Sequence, residues 1–492
     1  MQTPSSASAS TISLHLRQYD DRPESPAEPL SAATKACIIS GIENRKSADR
    51  IVCVPCYEQL SEPQRANLRT TSWAGGCPLC LVKEDKPEAY TKPFCDFLTE
   101  NPTVFHAVEY FKEKLTAAGF EEIKPGGKYW VTRNGSSIIA FSVGRSYVPG
   151  SGVAMIAGHI DALTARLRPI SKKPNKAGYV QLGVAPYAGA LNQTWWDRDL
   201  GIGGRVIVKD PETGKTSIKL VKLDWPIARI PTVAPHFGAG MMGQNNKETQ
   251  AVPIIGLEDR NANAETAELI AKELGIEDYS LILNWELELF DSQPAQTGGL
   301  DREFIFGGRI DDKLCSWPAL IALLSAADDE DHAGIKLVAL FDDEEIGSLL
   351  RQGARGNFLP IVIERTTYAR SFLASADVTH AGNPNFLGLY LDEHVPRLNV
   401  GVAICADSNG HMTTDAVSTA ILQRIAQLEG CETQIFQIRN DTRSGGTVGP
   451  MLSSAMGVKA ADLGLPQLSM HSIRATTGAL DPGLGVRFFR AF

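Results

Sequence analysis

Histidine and carboxylate side chains recur where short apolar runs of this sequence end, and such side chains are common ligands of divalent metal ions. Two histidines and several carboxylates can hold two ions, with one carboxylate bridging them, and such a pair activates water for hydrolysis. The candidate residues are His159, Asp161, Asp311, Asp312, Glu344, Glu345, Asp377 and His471.

Two spacings within this set indicate a division of roles. His159 and Asp161 are alternate residues of an extended segment, so their side chains share a face and Asp161 can accept the second imidazole N–H. Glu344 and Glu345 are adjacent, so their side chains point in different directions. One of the two glutamates can therefore bind metal while the other acts as a general base.

Each candidate also has an ordinary structural interpretation. A single histidine at a strand end is commonly a hydrogen-bonded structural residue, and the acidic run 342–345 is typical of a solvated loop. Asp311 and Asp312 could be a helix N-cap with a carboxylate in the first turn. The repeated position of these residues after apolar runs favours the metal site.

Apolar runs that alternate with helical patterns predict an α/β fold with a mixed sheet. In such sheets ligands bind at the carboxyl ends of the strands, where the polar candidates lie. The predicted strands are Val153–Ala157, Ile335–Phe341, Phe372–Ala376 and Val400–Ala406, and the predicted helices are Phe105–Phe120, Leu314–Ala327 and Thr414–Leu428.

Residues 163–302 have a different pattern, with many short strand-like segments separated by turn residues. This pattern predicts an inserted β-rich domain. The remaining segments, 86–162 and 303–492, would then form one catalytic domain. The clearest strand-like segments of the insertion are Tyr179–Val184, Gly204–Val208 and Thr216–Lys222.

Residues 1–85 are predicted to be a flexible extension, because their first part is rich in serine, proline and charge. The extension contains two C-x-x-C pairs about 20 residues apart, and this spacing can hold one structural Zn²⁺ in tetrahedral geometry. The alternative is four reduced thiols in a poorly ordered segment. The four residues are Cys53, Cys56, Cys77 and Cys80.

Composition excludes several classes of partner. The 492 residues include 48 Lys and Arg against 57 Asp and Glu, a net charge of −9, which argues against nucleic acid. No apolar run approaches the ~18–20 residues of a membrane span. No secretory signal is visible, so we expect a cytoplasmic protein whose nine cysteines are reduced thiols or metal ligands.

Seven segments, in order along the chain, resemble the aspartyl aminopeptidase family of dinuclear zinc exopeptidases. The resemblance runs from about residue 90 onward. The segments are GHIDALTARLRP (158–169), WWDRDLGIGGRV (195–206), GGRIDDKLCS (307–316), FDDEEIGSLLRQGA (341–354), SADVTHAGNPNF (375–386), RNDTRSGGTVGP (439–450) and LGLPQLSMHSIRATTG (463–478).

The resemblance implies a peptidase with two Zn²⁺ per subunit, which Mn²⁺ or Co²⁺ could replace. It also implies a homododecamer built from dimers, with 163–302 as the dimerisation domain. Its implied site has His159 and Asp377 on one zinc, Glu345 and His471 on the other, Asp311 as the bridge, Glu344 as the general base, Asp161 orienting His159, and His236 reaching a neighbouring subunit's active site to stabilise the oxyanion.

Substrate preference depends on the stretch 407–415, where acid-cleaving members have a lysine and this sequence has Asn409. With His411 and Met412 in the same pocket, we expect peptides that begin with neutral or apolar residues such as Leu. This stretch resembles the fungal vacuolar branch of the family, which implies delivery from the cytosol to the vacuole as a second location. The alternatives are an aspartyl or glutamyl aminopeptidase and a catalytically silent scaffold that binds cargo.

Overall fold

The computed structural model describes residues 51–53, 69–71, 86–122, 128–148, 151–237, 246–258, 266–326, 333–363, 371–407, 410–439, 441–442 and 445–492. Three cysteines of the predicted zinc module, Cys56, Cys77 and Cys80, lie outside these residues, and Asn409 does too. Only the backbone is described at Cys53, at the end of a short strand. The structural zinc site therefore stays a prediction.

The described residues include 22 strands. They are β1 (Ile51–Cys53), β2 (Arg69–Thr71), β3 (Glu121–Glu122), β4 (Lys128–Arg133), β5 (Ser137–Val143), β6 (Val153–His159), β7 (Thr164–Lys172), β8 (Tyr179–Tyr187), β9 (Leu200–Lys209), β10 (Thr216–Lys222), β11 (Ile254–Leu257), β12 (Ile282–Asp291), β13 (Gln296–Gly298), β14 (Phe304–Gly307), β15 (Ile335–Phe341), β16 (Phe372–Ala376), β17 (Thr379–His380), β18 (Val402–Ala406), β19 (Thr433–Gln437), β20 (Lys459–Gly464), β21 (Pro466–Gln467) and β22 (Ala475–Gly478).

Eight α-helices accompany these strands in the described part of the chain. They are α1 (Thr91–Glu100), α2 (Val104–Ala117), α3 (Thr266–Glu273), α4 (Ile310–Ala326), α5 (Phe358–Val362), α6 (Ala416–Leu428), α7 (Val448–Met456) and α8 (Asp481–Ala491). Short 3-10 helices cover Pro87–Tyr90, Gln193–Trp195, Pro235–Phe237, Tyr279–Leu281, Glu344–Ile346 and Leu387–Leu389. α2 ends two residues before Gly119, whose φ of 80° suits the left-handed conformation after a helix.

The central sheet has nine strands in the order β19-β18-β20-β16-β6-β15-β5-β4-β3. β20, β16, β6 and β15 run parallel to one another, while β5 pairs antiparallel with β15 and β18 with β20. Mixed strand directions and helices along the sheet confirm the predicted α/β class. A separate antiparallel sheet has the order β13-β14-β22, and β17 and β21 form a small parallel pair.

Apolar side chains of the central sheet bury both of its faces. Because successive side chains of a strand point to opposite faces, Ile156 packs with α4 and α8, while Met155 and Ala157 pack with α5 and α7. α4 lies within this core, and every residue from Asp312 to Leu323 is buried, which explains its apolar sequence on all sides.

A second sheet, with the order β10-β9-β12-β7-β8-β11, is antiparallel throughout and lies within the predicted insertion 163–302. It has its own apolar core, which includes Trp195, Ile202 and Leu287. The strand β10 coincides with the predicted segment 216–222. In the described ranges, no helix is both long and apolar enough to cross a membrane.

Candidate metal centre

Three neighbouring parallel strands end at one edge of the central sheet and place most of the candidate residues there. β6 lies between β15 and β16, and Phe341 pairs in register with His159, so these two strands end at the same level. Glu344 and Glu345 follow β15 in a 3-10 helix, and Asp377 is the first residue after β16. Side chains that are distant in sequence therefore meet because the strands before them are paired.

His159 is the centre of the first group. Its Nε2 lies 3.3 Å from Oδ1 of Asp311. The same nitrogen is 3.7 Å from Oδ1 of Asp377 and 3.8 Å from Oε2 of Glu344. His159, Asp377 and Glu344 have ligand atoms that all lie within 4.8 Å of one another, which is close enough for one metal ion to contact all three.

Asp311 joins this group to a second one. Its backbone has a ψ of 118° where the chain enters α4, so it precedes the regular helix, and its side chain reaches the cluster. Oδ2 of Asp311 lies 3.5 Å from Nε2 of His471, and that nitrogen is 3.6 Å from Oε2 of Glu345. The two oxygens of one carboxylate thus face two different histidines, as a bridging ligand requires.

Asp161 forms hydrogen bonds that hold three residues of the cluster in place. Its Oδ1 lies 3.2 Å from Nδ1 of His159 and accepts the backbone N–H of Glu344, while Oδ2 accepts the backbone N–H of Glu345. Because an ionised carboxylate only accepts hydrogen bonds, Nδ1 of His159 carries the proton. A metal ion between Nε2 and the other carboxylates would then take the lone pair of Nε2, which is the tautomer that a metal-binding histidine needs.

The charges of the cluster favour a bound cation. Burial, together with the neighbouring Asp377, raises the pKa of Glu344 to about 8, although His159 opposes this shift. Burial and the carboxylate of Asp311 raise the pKa of Glu345 well above its ordinary value. Burial lowers the pKa of His159, but its hydrogen bonds to nearby carboxylates outweigh this effect and raise it well above the usual range. Crowded carboxylates hold protons more tightly unless a cation lies between them.

The donor set fits zinc. Imidazole nitrogen and carboxylate oxygen are both zinc ligands, and the cluster offers two of the former and several of the latter. Oε1 of Glu345 is buried and has no hydrogen-bond partner among the described residues, so a metal ion would satisfy it. The acidic run before it is also not a solvated loop, since Asp342 and Asp343 are 3% and 1% exposed.

Other predicted site residues have no hydrogen bond or ion pair with this cluster among the described residues, or lie outside the described chain. His236 lies in an exposed 3-10 helix, and no hydrogen bond or ion pair of the described residues joins it to the cluster. His411 is bonded through Nδ1 to Oδ2 of Asp407 at 2.9 Å. Met412 is half-buried against an apolar cluster that includes Phe436.

The structure adds residues that the sequence pattern did not indicate. The Tyr187 hydroxyl donates to Oδ2 of Asp161 at 2.7 Å. Asp462, which pairs in register with Ser375 on β16, accepts hydrogen bonds from the hydroxyl and backbone N–H of Thr413, next to the predicted substrate pocket. Neither residue follows an apolar run in the way that the metal candidates do, so only the packed fold shows these contacts.

This site at the carboxyl edge of a mixed α/β sheet defines a metal-dependent hydrolase of the zinc exopeptidase type. Residues 97–492 match the family model described as aminopeptidase I zinc metalloprotease, M18. The chain belongs to this family and is a zinc-dependent aminopeptidase. The resemblance drawn from the seven sequence segments is thereby confirmed.

Two curated relatives are similar to this chain over most of its length. The chain is 41% identical over 460 residues to vacuolar aminopeptidase 1 of Saccharomyces cerevisiae, covering 84% of this chain and 89% of the relative. It is 40% identical over 474 residues to the aspartyl aminopeptidase of Aspergillus oryzae, covering 81% and 94%. The first name gives a location and the second a substrate residue.

Solved structures agree with the fold. The mApe1 structure from Chaetomium thermophilum matches with a TM-score of 0.77 and 60% identity, over 82% of this chain and 97% of that chain. The S. cerevisiae mApe1 dodecamer matches with a TM-score of 0.74 and 38% identity, over 82% and 96%.

Proposed function

We propose that this enzyme removes neutral or apolar residues such as Leu from the amino termini of peptides, using two Zn²⁺ per subunit. The observation that carries the metal assignment is the position of Asp311 between His159 and His471. In this assignment His159 and Asp377 hold one ion, and Glu345 and His471 hold the other. Mn²⁺ or Co²⁺ could occupy the same donors.

The reaction is the hydrolysis of the first peptide bond. Bound zinc supplies Lewis acidity, which polarises the carbonyl and makes water a better nucleophile. Glu344 takes a proton as the water oxygen attacks the carbonyl carbon, and it gives that proton to the amine when the C–N bond breaks. Asp161 fixes the backbone N–H of Glu344, so the base keeps its position while its side chain moves the proton.

The proposed metal pair supports action at the amino terminus. A substrate's unprotonated α-amine would offer a nitrogen lone pair to the second zinc, whereas the nitrogen of an internal peptide bond has no such lone pair to give. Binding of this amine near the second metal would restrict cleavage to the first residue.

The preference for neutral residues rests on the segment 407–415. It contains neither Lys nor Arg, and its one histidine, His411, is already paired with the carboxylate of Asp407. An acidic substrate side chain here would be desolvated without a free cation, which is costly. The half-buried Met412 offers apolar surface instead.

Assembly and location complete the proposal. The similarity to the S. cerevisiae mApe1 dodecamer supports a homododecamer. In this proposal the dodecamer is built from dimers, with the sheet of 163–302 at the dimer contact. His236, which is exposed in that region, would reach the neighbouring subunit's site and stabilise the oxyanion. Similarity to a vacuolar relative supports delivery of a cytoplasmic protein to the vacuole.

Initial rates on Leu-, Glu- and Lys-anilides, with and without prior chelation, test the proposed function. We expect chelator-sensitive release that is fastest from Leu. Fastest release from Glu would contradict the neutral preference and favour the acid-cleaving alternative. No release from any anilide after zinc or manganese is restored would contradict catalysis and favour a silent scaffold.

A further inference from the structure

A tyrosine of the six-stranded sheet contacts the metal cluster. Tyr187 is the last residue of β8 and is 5% exposed, and its hydroxyl donates to Oδ2 of Asp161 at 2.7 Å. Asp161 follows β6 of the central sheet and contacts His159 through its other oxygen. A single buried carboxylate therefore connects the six-stranded sheet to the first metal ligand.

The hydrogen bond from Tyr187 completes the set that Asp161 can accept. Oδ1 faces Nδ1 of His159 and the N–H of Glu344, and Oδ2 faces the N–H of Glu345 and the phenol. A carboxylate has about four acceptor positions, and all four are used here. Asp161 is 2% exposed, so water cannot replace a missing donor at little cost.

The ring of Tyr187 is itself held in place. The guanidinium of Arg166, on the neighbouring strand β7, lies 3.9 Å from the ring centroid. Burial raises the pKa of the Tyr187 phenol, with the charge of Asp161 adding to the shift, so the group remains a donor. A fixed ring with a protonated hydroxyl can hold a carboxylate in one orientation.

The chain just after Tyr187 supports the second half of the cluster. The side-chain amide of Asn192 donates to the backbone oxygen of His471 at 2.9 Å. The hydroxyl of Thr194 accepts the N–H of Ile473 at 3.0 Å. The segment 187–194 thus contacts Asp161, which is bonded to His159, and also the backbone of His471 and Ile473.

We propose that Tyr187 is a positioning residue of the metal centre, which acts through Asp161 to fix His159 and the backbone of Glu344 and Glu345. The inference rests on the metal assignment proposed above. Tyr187 touches neither substrate nor metal in this arrangement. Its effect is to keep the imidazole ring of His159 and the backbone of the two glutamates in the orientation that metal binding requires.

The test replaces Tyr187 by Phe, which keeps the ring and its contact with Arg166. The change removes the hydroxyl, which donates to Asp161 and also lies 3.4 Å from Oδ1 of Asp343. Zinc affinity is measured by competition with a chromophoric chelator, and kcat and KM are measured separately at saturating zinc. We expect about a tenfold loss of zinc affinity and a fall in kcat with KM unchanged, as for other residues that support metal ligands. Tyr179→Phe, at the exposed start of the same strand, is the matched control.

A double-mutant cycle with Asp161→Asn tests the route of the effect. If Tyr187 acts through Asp161, Tyr187→Phe has no further effect on zinc affinity in the Asp161→Asn background. Equal losses in both backgrounds would overturn the proposal. So would wild-type zinc affinity and kcat in Tyr187→Phe. If Tyr187→Phe does not fold, wild-type zinc affinity in Asp161→Asn would still overturn the proposal, because Tyr187 is proposed to act through Asp161.

Failure of the metal assignment gives a different result. If the wild-type protein binds no zinc in the competition assay, the proposed metal centre is wrong. If the wild type binds zinc and Tyr187→Phe binds it equally well, only the role of Tyr187 is wrong. Circular dichroism and the assembly size of each variant separate both results from misfolding.

Discussion

Oδ2 of Asp311 lies 3.5 Å from Nε2 of His471, although Asp311 opens a central helix and His471 lies in a loop between β21 and β22. The other oxygen of Asp311 faces His159. No other carboxylate among the described residues has ion-pair contacts with both of these histidines. Asp311 is therefore the residue on which both proposed zinc positions depend.

Asp311→Asn should lower the affinity for both zinc ions. An amide offers only one good oxygen ligand, so the bridge is lost while the side-chain shape is kept. We expect at least a 100-fold loss of affinity, beyond the 10–100-fold typical of residues that only support ligands. The loss of affinity is measured as zinc content after dialysis against a dilute chelator. Asp210→Asn, at an exposed position, is the control. Retention of two zinc ions by Asp311→Asn would exclude a bridging role.

Glu344→Gln should strongly lower turnover while zinc binding and assembly remain. Glutamine cannot accept the proton from water, so kcat is expected to fall about 10³-fold. Glu113→Gln, an exposed change on α2, is the control. Steady-state rates and metal content decide the matter together. If zinc is lost along with activity, Glu344 is a ligand instead of the base, as its 3.8 Å distance from Nε2 of His159 also permits.

Asn409→Lys should shift specificity towards acidic residues. A lysine would supply the cation that the segment 407–415 does not have. We expect the ratio of kcat/KM for Glu over Leu anilides to rise at least tenfold, since a desolvated carboxylate gains a charged partner. Gln423→Lys adds the same charge on the exposed side of α6 and should leave the ratio unchanged. If Asn409→Lys has the same ratio of kcat/KM as the wild type, this segment does not determine substrate specificity.

Subunits carrying His236→Ala should lose about 10²- to 10³-fold in kcat, the usual effect of removing one oxyanion donor. Mixed assemblies test whether His236 acts between subunits. Co-expression with Glu344→Gln subunits would pair an intact Glu344 in one subunit with an intact His236 from its neighbour. We expect such assemblies to recover a fraction of wild-type activity. If every mixed assembly stays inactive, His236 does not act in the neighbouring site.

Asp481 should make folding stability depend on pH in a defined direction. Burial raises its pKa to about 7, against hydrogen bonds from the backbone N–H groups of Gly478 and Asn399, which oppose the shift. The folded chain then holds a proton that the unfolded chain releases, so this contribution is present below about pH 4 and is lost as the pH rises through about 7.

Asp481→Asn removes that titration. The urea midpoint of the variant, relative to the wild type, should therefore rise between pH 4.5 and 7.5 when both proteins are free of zinc. Asp210→Asn is the control, because the backbone N–H and the hydroxyl of Thr213 lower the pKa of Asp210, so its contribution changes only below about pH 4. Its midpoint relative to the wild type should stay level over the same range. If the urea midpoints of Asp481→Asn and the wild type change with pH in the same way, the prediction is contradicted.

Strand ends are visible in the sequence, and they predicted most of the residues that the fold brings together at the candidate metal centre. β15 and β16 coincide with the predicted runs Ile335–Phe341 and Phe372–Ala376, and polar residues at the end of a buried run must meet at the sheet edge. Tyr187 and Asp462 could not be found in this way. Their contacts join different strands, and a lone Tyr or Asp within a strand carries no spacing that indicates its partner.

The separation of His159 and His471 in the chain has a consequence during synthesis. The ribosome must release every residue between them, including the whole six-stranded sheet, before both histidines can face Asp311. A nascent chain that stops short of His471 can have the first strands folded and still be without a peptidase centre. A metal centre that uses both histidines therefore cannot form before β21 and the loop after it have been made.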